Sequence, residues 1–235
     1  VLAGVATWNI HMGRGADGRR DLERTAAVIR ALEIDCIGLQ EVENHHHPGG
    51  DDLTRLAAAT GLQAVPGPTL FKPGGDYGNA LLSRWPVLRV ERHDLSVPGR
   101  EPRGLLIAHL QTPELRLQVA VTHLGLRPAE RRRQVATILG HLPGDPTVPL
   151  LLLGDFNEWL LWGRPLRWLH HRFRPAPAPR TFPARRPLLR LDRILASEAL
   201  RLHQVRAVAT AASRLASDHL PVVAQVALGQ CAPNA

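Results

Sequence analysis

Asp155 and Asn157 stand two residues apart, directly after the four leucines Leu150–Leu153. On an extended segment that spacing points both side chains the same way. A carboxylate and an amide aimed together from a strand end can hold a metal, orient a water, or do both. Two more polar clusters follow: Asp192 within Leu191–Arg193, and Asp218 with His219 in Ser217–His219. The front half has partners for them. Ala3–Trp8 ends in Asn9, Asp35–Leu39 ends in Gln40-Glu41, and Val119–Thr122 ends in His123. One polar residue at a strand end is ordinary strand-end polarity. A succession of apolar runs, each ending in a metal-ligating, acid/base or hydrogen-bonding side chain, points to one shared site.

The elements that must carry these residues are strand-like runs interrupted by amphipathic helices. Leu22, Ala26, Ile29 and Leu32 recur at helical spacing after Asp21, which predicts an N-cap there. Leu53, Leu56 and Ala57 follow Asp51-Asp52 and stop at Gly61, a C-terminal signal. Pro128 opens a third helix, with Val135, Ile138, Leu139 and Leu142 as its apolar stripe. Val87–Leu95, Gly104–Leu110 and Leu115–Val121 read as successive antiparallel strands. Gly49-Gly50 and Gly74-Gly75 read as turns, and no composition break divides the chain. Apolar content of 44% is that of a globular protein, and no apolar run approaches the ~18 residues of a membrane helix.

Seven strings in order carry a family resemblance: Trp8–Ile10, Leu39–Val42, Gly78–Ser83, Thr122–Gly125, Gly154–Asn157, Leu191–Ile194 and Ser217–His219. Together, from about Ala3 to Val226, they resemble the endonuclease/exonuclease/phosphatase superfamily in a small bacterial-type form. This is the fold of pancreatic deoxyribonuclease, abasic-site endonucleases, neutral sphingomyelinases and inositol polyphosphate phosphatases. The resemblance implies an α/β fold, a four-layered sandwich of two packed mixed β-sheets with helices on the outer faces. It also implies one catalytic domain over residues 1–235, with the active site where strand ends of both sheets converge.

A phosphodiester resists water because its anionic oxygens repel hydroxide and its alkoxide leaves poorly. Hydrolysis therefore needs a cation near phosphate, a base for the water and donors for the developing charge. In that frame Glu41 is the principal ligand of a hard divalent ion, with Asn9 beside it and Asp218 touching the metal or supporting the network. Oxygen ligands favour Mg2+, or Mn2+, over zinc. His219 is the candidate general base, with Asp192 fixing its tautomer. The resemblance implies that Asp155 and Asn157 position the attacking water and phosphoryl oxygens; His123 donates to a phosphate oxygen, protects the leaving group or only caps its strand. Asn79 is a neighbour of the substrate. Arg100 and Arg103 bracket Glu101-Pro102, where the resemblance implies a phosphate-binding or site-bracing arginine and the bland reading of either is a surface arginine; Arg185 and Arg186 precede Asp192 on a proline-flanked loop suited to substrate.

The formal net charge of +8 favours anionic partners, nucleic acid or an anionic membrane surface. Lys72 is the only lysine; a GC-rich coding sequence explains the choice of arginine but not the excess of positive charge. Trp159, Trp162 and Trp168 are interleaved with Arg164, Arg167, Arg172 and Arg174, a mixture suited to stacking on bases or lying on lipid. The structural reading of Trp159 and Trp162, one helical turn apart, is a short helix packed on the sheet edge. Arg131–Arg133 read as a solvated helix face. His45–His47 cannot all face one ion, although their loop lies close to Glu41.

The expected activity is that of a metal-dependent phosphodiesterase or nuclease. A lipid or small-molecule phosphodiesterase is the alternative, and a silent binding module on the same scaffold is the reading of another class. Two cysteines, Cys36 and Cys231, make no disulfide framework, and Cys36 reads as a core residue. A cytoplasmic monomer is expected from the absence of a signal-peptide pattern, although a chain starting at Val1 could have lost one by trimming.

Overall fold

Alternation along the strands decides which layer each side chain enters. The computed structural model describes residues 3–160 and 162–228. In chain order its elements are β1 (Ala3–Asn9), α1 (Leu22–Ala31), β2 (Cys36–His47), the short β3 (Gly50–Asp51), α2 (Asp52–Thr60), β4 (Gln63–Lys72) and β5 (Gly75–Ser83). Then come β6 (Val87–Asp94), β7 (Gly104–Gln111), β8 (Arg116–His123), α3 (Pro128–His141), β9 (Leu150–Asp155) and α4 (Arg164–His170). The last are β10 (Asp192–Ala196), β11 (Leu200–Ala207), α5 (Ala211–Ala216) and β12 (Val222–Leu228).

One sheet has the order β11-β12-β1-β2-β5-β4, with β3 paired to β2, and the other runs β10-β9-β8-β7-β6. Both are mixed: β1/β2 and β8/β9 are parallel, and the other pairs are antiparallel. Three apolar clusters separate four layers. Val5, Val119, Val121, Leu151, Leu153 and Val222 fill the space between the sheets. Ile29 of α1 and Leu53 and Leu56 of α2 pack on Trp8, Ile37 and Leu82 of the first sheet. Val135 and Ile138 of α3 and Leu166 of α4 pack on Ile107, Leu150 and Leu152 of the second. Each fully buried leucine here stabilises by roughly 1.5–3 kcal/mol.

The end signals work as local chemistry requires. Asp21 accepts from the Arg24 amide and Asp51 from the Thr54 amide, each satisfying an otherwise free helix-start donor. Gly61 closes α2 at φ 69°, a left-handed position suited to glycine. Cys36 is a buried free thiol, and Cys231 lies outside the described residues.

Two expectations are corrected. Trp159 and Trp162 are not in a helix on the sheet edge; they are 46% and 73% exposed on a loop. Helix α4 starts only at Arg164, because Gly163 occupies the N-cap and Pro165, which lacks an amide hydrogen, is tolerated in the first turn alone. Arg131 does not join a solvated face. It is fully buried: its Nε donates to buried Glu158 (3.1 Å) and its Nη1 to the Gly125 and Leu126 carbonyls (3.3 and 2.7 Å). Arg133 alone of the three is fully on the surface.

Candidate active site

The face that packs the two sheets together runs out, at one end, into polar side chains. Leu151 and Leu153 are followed at the same parity by Asp155; Val119 and Val121 by His123; Val5 and Thr7 by Asn9. On β10 the order is reversed, and Asp192 precedes Ile194 and Ala196. Asp155 and Asp192 are register partners across β9/β10, and His123 and Asp155 across β8/β9. Gly154, between them, is required by proximity: a Cβ there would lie 2.2 Å from the Thr122 carbonyl oxygen.

Glu41 reaches this face by a different device. Parity would turn it toward the helices, because Cys36, Gly38 and Gln40 already hold the inner positions. A bulge intervenes: Leu39 pairs with Ala80 and Val42 with Gly78, so Gln40 and Glu41 together oppose Asn79. Glu41 adopts φ 55°, an uncommon conformation for a residue with a Cβ. His11, Met12 and Asn157 also have positive φ, so backbone strain gathers around the cluster.

Asn9 is the hub. Its Nδ2 donates to Glu41 Oε1 (3.0 Å) and Asp155 Oδ2 (3.1 Å), while its Oδ1 accepts from the His11 amide (3.0 Å). Asp155 Oδ1 accepts from the Asn157 amide at 2.9 Å. His219 Nδ1 and Asp192 Oδ2 are 2.8 Å apart, and Thr181 Oγ1 donates to the same oxygen at 2.5 Å. His219 Nε2 faces Asp155 Oδ2 at 3.7 Å. Trp8 Nε1 holds the His219 carbonyl (2.9 Å), and the Phe182 ring stands 4.8 Å from the imidazole.

Burial works against a charged His219. The charges of Asp192, Asp155 and Asp218, with the Asp192 hydrogen bond, outweigh it and hold the pKa up at about 10. His123 goes the other way. Burial pushes it down to about 3, Arg103 and His219 add to the effect, and Asp155 only partly opposes them. His123 is therefore neutral near pH 7. Arg103 Nη1 lies 3.1 Å from its Nδ1. A guanidinium can only donate, so Nδ1 accepts and Nε2 carries the hydrogen. That N–H has the Asp155 carboxylate as its acceptor side, at 3.5 Å; the Asn157 Nδ2, 3.1 Å away, is itself a donor and donates to the Leu124 carbonyl (2.9 Å). The Glu41 carboxyl is pushed up by burial first, pulled down by Asn9, and pushed up again by Asp218 and Asp155.

The structure thus brings Asn9, Glu41, His123, Asp155, Asn157, Asp192, Asp218 and His219 to one mouth. Asn79 is buried beside the Glu41 bulge, its Nδ2 on the Gly104 carbonyl (3.1 Å). Arg103 is buried and gripped by both Glu101 oxygens at 3.1 Å, whereas Arg100 is exposed on a turn after Gly99 and does not join the cluster. Arg185 and Arg186 are exposed on the loop before β10, and among the described residues neither side chain is hydrogen-bonded or ion-paired to this cluster. His45 and His47 pair with Asp52 (3.3 and 2.8 Å) and His46 with Asp76 (3.2 Å), away from the cluster.

Several contributors carried no isolated signal in the sequence. Thr181 lies in a proline-rich stretch eleven residues before Asp192. Ser217 Oγ donates to the Asn9 carbonyl at 2.7 Å, joining the last motif to the first. Tyr77 precedes Asn79 by two residues on β5, and that parity was a usable signal. Burial and the charges of Glu41 and Glu101 push its phenol up, and the Arg103 guanidinium partly opposes them.

A histidine–carboxylate pair beside clustered carboxylates, at the open end of a two-sheet sandwich, is an arrangement suited to hydrolytic chemistry. The model of the Endonuclease/Exonuclease/phosphatase family matches residues 6–219, and the chain belongs to that family. It is 35% identical over 246 residues to YbhP of Escherichia coli K12, covering 95% of this chain and 96% of YbhP. The crystal structure of an endonuclease/exonuclease/phosphatase from Beutenbergia cavernae is similar with a TM-score of 0.80 and 27% identity, covering 97% of this chain and 72% of that one. The human Nocturnin catalytic domain with bound sulfate has a TM-score of 0.76 at 21% identity, covering 97% and 93%.

Proposed function

We propose that this chain is a single catalytic domain that hydrolyses phosphodiesters with a water activated by the His219–Asp192 pair and with a divalent cation. The observation that carries the reading is the convergence of that pair with Glu41, Asp155 and Asp218. Among the described residues no arginine or lysine pairs with any of those three carboxylates. Crowded carboxylates with no arginine or lysine among their partners suit a hard cation held by few protein oxygens, which favours magnesium or manganese.

Asp155, Asp192 and His219 also offer ligand atoms within 4.8 Å of one another. His219 Nδ1 and Asp192 Oδ2 are committed to each other, however, so Glu41 and Asp218, with Asn9 steadying Glu41, are the better holders. A bound ion would polarise a phosphoryl oxygen and offset the carboxylates that keep His219 protonated.

The chain's own groups supply the rest. Asp192 keeps the hydrogen on Nδ1, leaving Nε2 to take a proton from water placed by Asp155 and Asn157. His123, neutral and with its hydrogen on Nε2, donates to a phosphoryl oxygen. Net charge alone favours a nuclease. The second reading, a lipid phosphodiester, is favoured by exposed tryptophans and leucines at the mouth.

The test is Glu41→Gln in a magnesium titration of hydrolysis of a soluble diester. The magnesium midpoint is expected to rise at least about tenfold. A midpoint equal to that of the wild type would remove Glu41 from the cation site.

A further inference from the structure

The positive charge of this protein is not spread over its surface. Between Trp159 and Arg190 lie eight of the 29 basic residues and none of the 21 acidic ones, so this segment carries the whole formal +8 and the remainder is neutral. Its two ends border the candidate site on two sides, whereas Arg172 and Arg174 in its middle lie at the far end of β10, on the Pro143, Asp145 and Glu198 carbonyls.

On the first side, the loops that leave β8 and β9 directly after His123 and Asp155 meet. Arg131 ties them together, donating to the Leu126 carbonyl at 2.7 Å and lying 4.9 Å from the Trp159 ring. Beyond that tie the apolar side chains point out: Leu126 is 62% exposed and Trp162 73%, with Trp159 and Leu160 also open. Arg127, Arg164 and Arg167 stand exposed beside them. On the second side, the Leu188 and Leu189 amides both bond the carbonyl of Phe182, whose ring faces His219. Leu188 is 66% exposed there, next to exposed Arg185 and Arg186.

Tryptophan and arginine suit either a lipid surface or a single-stranded nucleic acid. The leucines decide between them. An aliphatic side chain has no ring face to stack on a base and no group to bond one, whereas the acyl boundary rewards every apolar surface it covers. Four exposed leucines on both lips, with arginines and no acid among residues 159–190, match an anionic headgroup layer over an apolar interior.

We propose that this two-lipped rim docks the protein on an anionic lipid surface, setting the mouth of the site at headgroup level. Docking stands on the rim alone. The consequence that the substrate is a phosphodiester within that surface rests on the hydrolytic reading given above.

The experiment is flotation in EDTA with phosphatidylcholine vesicles, with or without phosphatidylglycerol, with brominated acyl chains as a depth probe for tryptophan. The wild type is expected to float with anionic vesicles, to be quenched by the bromines, and to stay behind with phosphatidylcholine alone. Trp162→Ala with Leu188→Ala, and separately Arg164→Glu with Arg167→Glu, should each weaken binding about tenfold or more. These positions are on the surface, so thermal melts and turnover of a soluble diester are expected to be unchanged. Asp192→Asn should float like the wild type, which separates failure of docking from failure of catalysis. Absence of flotation would overturn the proposal, as would binding to anionic vesicles that neither pair of substitutions weakens. Tight binding of a single-stranded oligonucleotide that Trp162→Ala abolishes, without vesicle binding, would assign the rim to nucleic acid instead.

Discussion

Replacing Asp192 with asparagine keeps the size of the side chain and removes one charge from the His219 environment. Two orientations are open to the new amide. With its oxygen in place of Oδ2 it still accepts from Thr181 and from the imidazole N–H. Its NH2 then occupies the place of Oδ1, which has no partner. An unsatisfied buried donor costs about 1–3 kcal/mol, so the protein folds with reduced stability. Turned over, the amide donates to Nδ1, moves the hydrogen to Nε2 and closes that nitrogen to a water proton. Either outcome weakens general-base help worth about 10²–10⁴ in rate, or roughly 2.7–5.5 kcal/mol of barrier.

The same substitution removes the leading charge that holds His219 up at about 10. A neighbouring carboxylate moves a partner's pKa by roughly one to three pH units. The expected pH–rate profile therefore has its acid limb at lower pH and its plateau at least about 10² lower. Diester hydrolysis at saturating magnesium, with histidine ring NMR on the same samples, reads both. A plateau within about threefold of the wild type, alongside a lowered His219 pKa, would refute the orienting role of Asp192.

Arg131→Met leaves the Glu158 carboxylate buried without its cation, a loss of about 3–5 kcal/mol. At about 2–4 °C per kcal/mol for a chain of this size, the melting temperature should fall by about 6–20 °C by circular dichroism. A fall below about 2 °C would mean that the pair contributes little. For pH, the sign follows from the raised His219. Its stabilising contribution in metal-free protein is complete below the unfolded value of about 6.5 and is lost as pH rises through about 10. Urea melts in EDTA at the two ends of that window should show the loss, and Asp192→Asn should shrink it. Added magnesium should move the His219 ring titration downward in NMR, and an unmoved titration would uncouple the cation from the base.

Much of the site was legible because strand alternation is local. Asp155 following Leu151 and Leu153, or His123 following Val119 and Val121, needs only a period of two to face the same way. The helix ends at Asp21 and Gly61 were legible for a like reason, since a capping hydrogen bond or a left-handed turn closes within a few residues. The choice between Arg100 and Arg103 was not local. It depends on a histidine twenty residues away, the neutral His123 whose Nδ1 faces the guanidinium that Glu101 grips. The same holds for Thr181, which finds Asp192 only when a proline-rich loop folds back against β10.

By itself the sequence determined which side chains could do chemistry, their order along the chain, the family, and the concentration of charge between Trp159 and Arg190. Tertiary structure decided what those residues face. A bulge turns Glu41 to the inner side, a buried carboxylate draws Arg131 inward, and a proline-started helix leaves Trp162 in solvent. Composition and spacing record the inventory and its local directions, whereas register shifts and burial depend on contacts between segments far apart in the chain.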